Sequence, residues 1–220
     1  MIFNEEINVS DTWFTDEAHF YLDGYVNKQN WRFWGSENPY LVAERSLHPM
    51  RITVWAAISS WGIIGPIFIN ENITANSYKG ILENSFVLAL QRINIMTDFE
   101  DAWFQQDVAR PHRTQEVFFL LNEHFRKWVI ALNYPEASGE GIEWPPYSSD
   151  LNPCDFYLWD FLKDRVYANQ LTSIEELRDK IKSEIISISP EILQKVASSF
   201  LECLNYVISK DGGHFENICS

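Results

Sequence analysis

The alternation of apolar and polar positions changes period several times along the chain. Thr12–Phe20 (TWFTDEAHF) starts apolar and then meets acids, as a strand does when it runs from a core into a polar end. Arg51–Ser59 (RITVWAAIS) and Ile63–Asn70 (IIGPIFIN) are apolar, β-rich runs, and Ser60-Trp61-Gly62 between them reads as a turn, which predicts a hairpin. After Asn72-Ile73-Thr74 the period becomes helical to about Met96, with Tyr78, Ile81, Leu82, Phe86, Leu88, Leu90 and Ile93 giving a broad apolar face. Asp101–Gln106 (DAWFQQ) predicts a short buried strand that ends at Asp107.

Thr114 stands where an N-cap belongs, ahead of Val117, Phe118, Leu120, Leu121 and Phe125 at helical spacing. Trp128–Leu132 (WVIAL) is a fifth strand, and 133–149, with its Gly and Pro, reads as loop. Pro153 suits the first position of a helix that carries Phe156, Leu158, Trp159, Leu162 and Val166. Helices over Ser173–Ile188 and Pro190–Ser209 follow, the first with Ser173 and Glu176 in a capping-box pattern. The order is strand, hairpin, helix, strand, helix, strand, then helices. That order predicts an α/β domain with a mixed five-stranded sheet flanked by helices. No repeat or linker divides the chain, so residues 1–220 read as one domain, with 171–220 as its C-terminal helical extension.

Composition narrows the function. With 46% apolar and 22% charged residues the chain has the make-up of a globular protein. Its net charge of −14 excludes wholesale coating of nucleic acid, which needs a basic surface. The charge is uneven: residues 1–23 hold six acids and no Lys or Arg, whereas 24–56 carry Lys28, Arg32, Arg45 and Arg51 against Glu37 and Glu44. The start lacks the pattern of a signal peptide, and the most apolar stretch, Val54–Ile69, is too short and interrupted to span a bilayer, so no membrane partner is expected. Three cysteines without a CxxC pair suggest neither a disulfide framework nor a zinc site.

Three acids stand out. Asp16 lies in or just after the first strand, Asp107 ends the short buried strand, and Asp155 falls in the first turn of a helix. Taken singly, each has an ordinary explanation: a solvated strand end for Asp16, a turn cap for Asp107, the helix macrodipole for Asp155. Taken together they suit hard divalent cations, which prefer oxygen ligands and retain several waters. Three convergent carboxylates can hold two ions about 3.5–4 Å apart for in-line phosphoryl displacement. Paired acids also serve glycosidases, but nothing in the sequence points that way.

The words around these acids, TDEAHFYLDGYVNKQNWRFWG (15–35), WFQQDVARPH (103–112), WPPYSSDLNPCDFYLWDFLKDRVY (144–167) and GGHFENI (212–218), resemble in collinear order the catalytic domain of mariner-type transposases. That family belongs to the DDE/DDD superfamily and has a ribonuclease-H-like fold. The resemblance implies Asp16, Asp107 and Asp155 as catalytic, metal-binding residues. It implies two Mg²⁺ or Mn²⁺ ions as cofactors, transposon-end DNA as partner, a homodimer, and a nuclear location. The implied activity is DNA strand cleavage followed by strand transfer. The alternative is a catalytically inactive or domesticated remnant that only binds nucleic acid or protein.

His112, five residues after Asp107, reads either as an auxiliary polar group near the metal pocket or as a histidine bonded to a nearby carbonyl. Glu17 and His19 rank lower, because alternation puts both on the strand face opposite Asp16. Arg110 and Arg113 suit phosphate contacts but are more simply solvated charges, and Trp144 reads as core. Val108 stands where the resemblance implies Gly, so a need for positive φ there would strain it. Ser149 replaces a Pro, and Pro135–Gly141 (PEASGEG) reads as a surface insertion. Full-length relatives carry basic helix-turn-helix modules ahead of this domain, and the resemblance implies a chain without them.

Overall fold

The computed structural model describes residues 9–24, 50–93, 102–145, 148 and 151–209, with side chains to 204. Five strands form one mixed sheet in the order β3-β2-β1-β4-β5. β1 (Thr12–Tyr21), β2 (Arg51–Ser59) and β3 (Gly62–Ile69) are an antiparallel meander. β4 (Trp103–Gln105) and β5 (Val129–Ile130) add to the other edge of β1 in parallel. The sheet and its flanking helices are those expected from the sequence, and no strand boundary differs from its expected place by more than two residues.

Each face of the sheet buries its own core. Trp13, Trp55 and Phe104 face α1 (Ala75–Ile81), α2 (Val87–Ile93) and α3 (Gln115–Phe125), packing with Tyr78, Phe86, Leu121 and Phe125. Phe14, Phe20, Val54 and Ile58 face α5 (Trp159–Val166), α6 (Ile174–Ile186) and α7 (Pro190–Ser209). The last two helices bury Leu177, Ile181, Leu193, Val196 and Phe200 in that second core. They therefore form a layer of the fold against the sheet.

The parallel pairing of β1 with β4 positions the acids. Its last register pair is Phe14 with Gln105. Asp16 lies two residues beyond Phe14, and Asp107 two residues beyond Gln105. The parallel pairing therefore brings the two acids level, Asp16 still within β1 and paired with β2, and Asp107 just past the end of β4. Thr15 Oγ1 donates to the Gln105 carbonyl at 2.8 Å and ties the two strands together at that point.

Several local expectations are corrected. The long helix is continuous in the described residues to Ile93, but a π-helical turn over Leu82–Phe86 separates α1 from α2. A second π-helical turn, Cys154–Leu158, opens the helix of the third acid. Thr114 occupies the N-cap position of α3 without a side-chain cap bond. Ser173 accepts from the Glu176 N–H, but the Glu176 carboxylate bonds Thr172 instead of closing the box. Cys154 is a buried free thiol, whereas Cys203 is disulfide-bonded, so the odd count does not leave every cysteine reduced. Val108 is not among the residues with positive φ and packs against the core without backbone strain. Among the described residues no helix is long and apolar enough to cross a membrane. The tail word 212–218, Ser149, and the basic residues Lys28, Arg32 and Arg45 lie outside the described residues.

The segment 133–149 is more ordered than a loop. It holds a one-turn helix, α4 (Tyr134–Ser138), and Ile142 makes a parallel bridge to Ile130 at the sheet edge. Gly141 permits this return. Its φ is +92°, and a Cβ there would stand 2.7 Å from the Tyr134 ring and 2.8 Å from the Val129 carbonyl. Gly141→Ala should therefore lower stability by about 1–3 kcal/mol, read from urea unfolding.

Candidate active site

Asp16 is buried on the face of β1 that meets α5. Its Oδ2 accepts a hydrogen bond from Trp159 Nε1 at 2.7 Å. Burial raises its pKa well above the ordinary carboxylate value, and the charges of Asp155, Glu17 and Asp107 push it further in the same direction. The indole bond opposes both effects but does not overcome them.

Asp155 is carried by the π-helical turn, and the backbone just before it is stitched to β1. Asn152, itself buried, donates from Nδ2 to the Thr15 carbonyl at 3.3 Å. Its Oδ1 accepts from the Cys154 N–H, and the Cys154 thiol donates to the Phe14 carbonyl. The Asp155 N–H then donates to the Asn152 carbonyl at 2.9 Å. The third acid is thus delivered to the strand end by side chains of the Asn-Pro-Cys word, and Trp159 lies one turn later on the same helix.

Asp107 leaves β4 and turns back on itself, with Oδ1 accepting from the Ala109 N–H at 3.0 Å. The turn-cap reading of this residue is therefore correct as far as it goes. The same oxygen also accepts from His112 Nδ1 at 2.5 Å. His112 sits on a 3₁₀ turn, Arg110–Arg113, and is 2% exposed. Its Nε2 stands 3.3 Å from Glu17 Oε1. Burial alone would lower the His112 pKa, but Asp107 and Glu17 outweigh it and lift the value to about 9. For Asp107, burial raises the pKa, yet the bond to His112, its charge, and the Ala109 N–H leave it below the ordinary value.

Alternation along β1 puts Glu17 on the opposite face from Asp16, as expected, but that face carries a partner. Glu17 meets His112 there, so it belongs to the site more closely than its sequence position suggests. Sequence reasoning misses two further site residues, Trp159 and Tyr78, the second stacking its ring on His112 at 3.8 Å. The four-residue step from Asp155 to Trp159 is the available signal for the first. Nothing local marks the second, which arrives from α1. Of the weaker candidates, His19 lies on the Glu17 face, its Nδ1 2.9 Å from Thr53 Oγ1. Burial and the charges of Arg51 and Lys163 lower its pKa. Arg113 donates to Asn133, Arg110 is exposed, and Trp144 is core.

The donor set is oxygen-rich and electrostatically overloaded, which fits divalent cations. Asp16 feels Asp155, Glu17 and Asp107 at once, and a cation among them would relieve that repulsion. Among the described residues, however, no three His, Cys, Asp or Glu side chains already form a metal-holding group. Asp16 stands within electrostatic reach of the other three acids.

Because the His112 pKa is raised in the fold, its ion pairs stabilise the metal-free protein fully below pH 6.5 and are lost as pH rises through about 9. The stability gap between wild type and His112→Gln should shrink across that window by on the order of 2 kcal/mol, measured by urea unfolding at stepped pH without metal.

The model of the DDE superfamily endonuclease family matches residues 11–178, which holds all three acids and the whole sheet. The human histone-lysine N-methyltransferase SETMAR is 25% identical over 190 residues, covering 82% of this chain and 26% of SETMAR. The fold matches the Mos1 transposase paired-end complex with left transposon end at a TM-score of 0.73 and 19% identity, over 95% of this chain and 57% of that one. It also matches the Mos1 transposase catalytic domain with Raltegravir and Mn at a TM-score of 0.69 and 17% identity, over 94% of this chain and 86% of that one. The chain therefore spans about a quarter of SETMAR and a little over half of the Mos1 chain in the paired-end complex. It has the ribonuclease-H-like architecture of the mariner transposase catalytic domain, and it belongs to the DDE superfamily endonucleases.

Proposed function

We propose that this domain binds two divalent cations, Mg²⁺ or Mn²⁺, through Asp16, Asp107 and Asp155, and uses them to cut DNA strands and join the freed end to a new site. The observation that carries this reading is the charge crowding at Asp16, where acids from β1, the turn after β4 and the π-helical turn press on one another. Bound ions would activate a water or a 3′-hydroxyl and stabilise the leaving oxygen of an in-line displacement. Mos1 structures with Mn, with Mg, and as a strand transfer complex support the same chemistry.

The protein's own side chains have distinct tasks in this scheme. Trp159 holds Asp16 in one orientation by its indole N–H. Asn152 sets the entry of the helix that presents Asp155. His112 occupies one oxygen of Asp107 and leaves the other, Oδ2, for a cation. DNA from transposon ends is the proposed substrate, a pair of such domains the working unit, and the nucleus the location. The net charge of −14 speaks against a broad DNA-coating surface.

A second reading is favoured by the net charge of −14, which offers DNA phosphates little basic surface: a remnant that keeps the shape without the chemistry. Nicking of supercoiled plasmid separates the two. With Mn²⁺ the wild type should nick, and Asp107→Ala and Asp16→Asn should each drop below detection. Thermal melting gives an independent arm. Saturation at about 100 times Kd should add roughly 2.7 kcal/mol of stability to wild type and little to Asp16→Asn. A wild type that neither nicks nor gains stability with Mn²⁺ is the remnant.

A further inference from the structure

Three buried residues, His112 among them, form a closed ring of contacts. Tyr78 comes from α1, Gln106 follows β4, and His112 sits on the 3₁₀ turn; their exposures are 0%, 0% and 2%. The Tyr78 ring lies on the imidazole with centroids 3.8 Å apart and planes 24° from parallel. The Tyr78 hydroxyl donates to Gln106 Oε1 at 3.0 Å. Gln106 Nε2 in turn donates to the His112 carbonyl at 2.9 Å. Each residue thus touches the other two, and the Gln106 main chain is anchored by its own N–H to the Ile130 carbonyl on β5.

The ring removes the two motions by which a histidine loses its aim. Stacking blocks rotation of the imidazole about its Cβ–Cγ bond, and the bond to the carbonyl fixes the turn that carries it. An imidazole so held points Nδ1 at Asp107 and Nε2 at Glu17, carboxylates of two different elements. Tyr78 stacks on the imidazole and bonds Gln106, and Gln106, next to Asp107 in the chain, bonds the His112 carbonyl, so both bear directly on the pose of His112. The Tyr78 phenol stays a neutral donor, since burial and the charge of Glu17 both raise its pKa.

We infer that Tyr78 and Gln106 are positioning residues that clamp the His112 imidazole and, through it, set which oxygen of Asp107 is offered to a cation. The clamp stands on the geometry alone; its consequence for metal binding rests on the function proposed above.

The test uses the full chain with Tyr78→Phe, Tyr78→Leu and Gln106→Met, and with Tyr134→Phe as a control that removes a phenol bonded instead to the Arg126 carbonyl. NMR of the metal-free protein reads the His112 ring resonances and the Asp107 carboxyl carbon, and Mn²⁺ titration reads affinity. Tyr78→Leu should abolish the upfield ring-current shift of the His112 Cε1 proton. Tyr78→Phe should retain that shift, and both Tyr78→Phe and Gln106→Met should move the Asp107 carboxyl resonance. Mn²⁺ affinity should fall about 10–100-fold in Tyr78→Leu and less in Tyr78→Phe, the scale seen when support behind a metal ligand is lost. Tyr134→Phe should change stability but none of these signals. Should Tyr78→Leu unfold, Tyr78→Phe and Gln106→Met decide. Unchanged His112 and Asp107 resonances in folded variants overturn the clamp. If wild type binds no Mn²⁺ while the resonances move as expected, the clamp stands and the metal reading fails.

Discussion

Like charges gathered at one end of a sheet repel one another, and this fold has to hold them there. Asp16, Glu17, Asp107 and Asp155 come from three separate elements, and the first is buried with the charges of the other three acting on it. Without a cation the protein answers with directed donors. Trp159 covers one oxygen of Asp16, and His112 stands between Asp107 and Glu17. These contacts are worth more at a buried site than at the surface, where water would screen them.

The sheet divides this support in two. On the face of α5, an indole and the Asn152 tether serve Asp16 and Asp155. On the face of α1 and α3, the imidazole and its two buried neighbours serve Asp107 and Glu17. The site is an edge shared by two cores, and each core fixes half of it. The large aromatic content of the chain finds its use here: Trp159 and Tyr78 are core residues whose polar ends reach the acids or their supports.

Much of this is legible in the residues. Apolar runs with turn signals between them locate all five strands. The three acids stand at positions that the β1–β4 pairing brings level and that the Asn-Pro-Cys word joins to β1. What escapes is what depends on contacts across the chain. Alternation sets Glu17 aside, a correct inference about its face that says nothing of what covers that face. Tyr78 reads as one more apolar helix position, because stacking on a residue 34 positions away leaves no local mark. The helix in 134–138 is hidden by Pro and Gly, which there serve as helix start and left-handed stop.

The π-helical turn at Cys154–Leu158 carries a consequence for how such a domain ages. The Trp159 N–H reaches back five residues to the Cys154 carbonyl, so this turn holds one residue more than an α-helix would. Losing a single codon there would restore ordinary winding and swing Asp155 by about 100° relative to Leu158, Leu162 and Val166. The buried stripe would survive and the acid would be misdirected. One small deletion therefore separates keeping the scaffold from keeping Asp155 in its place.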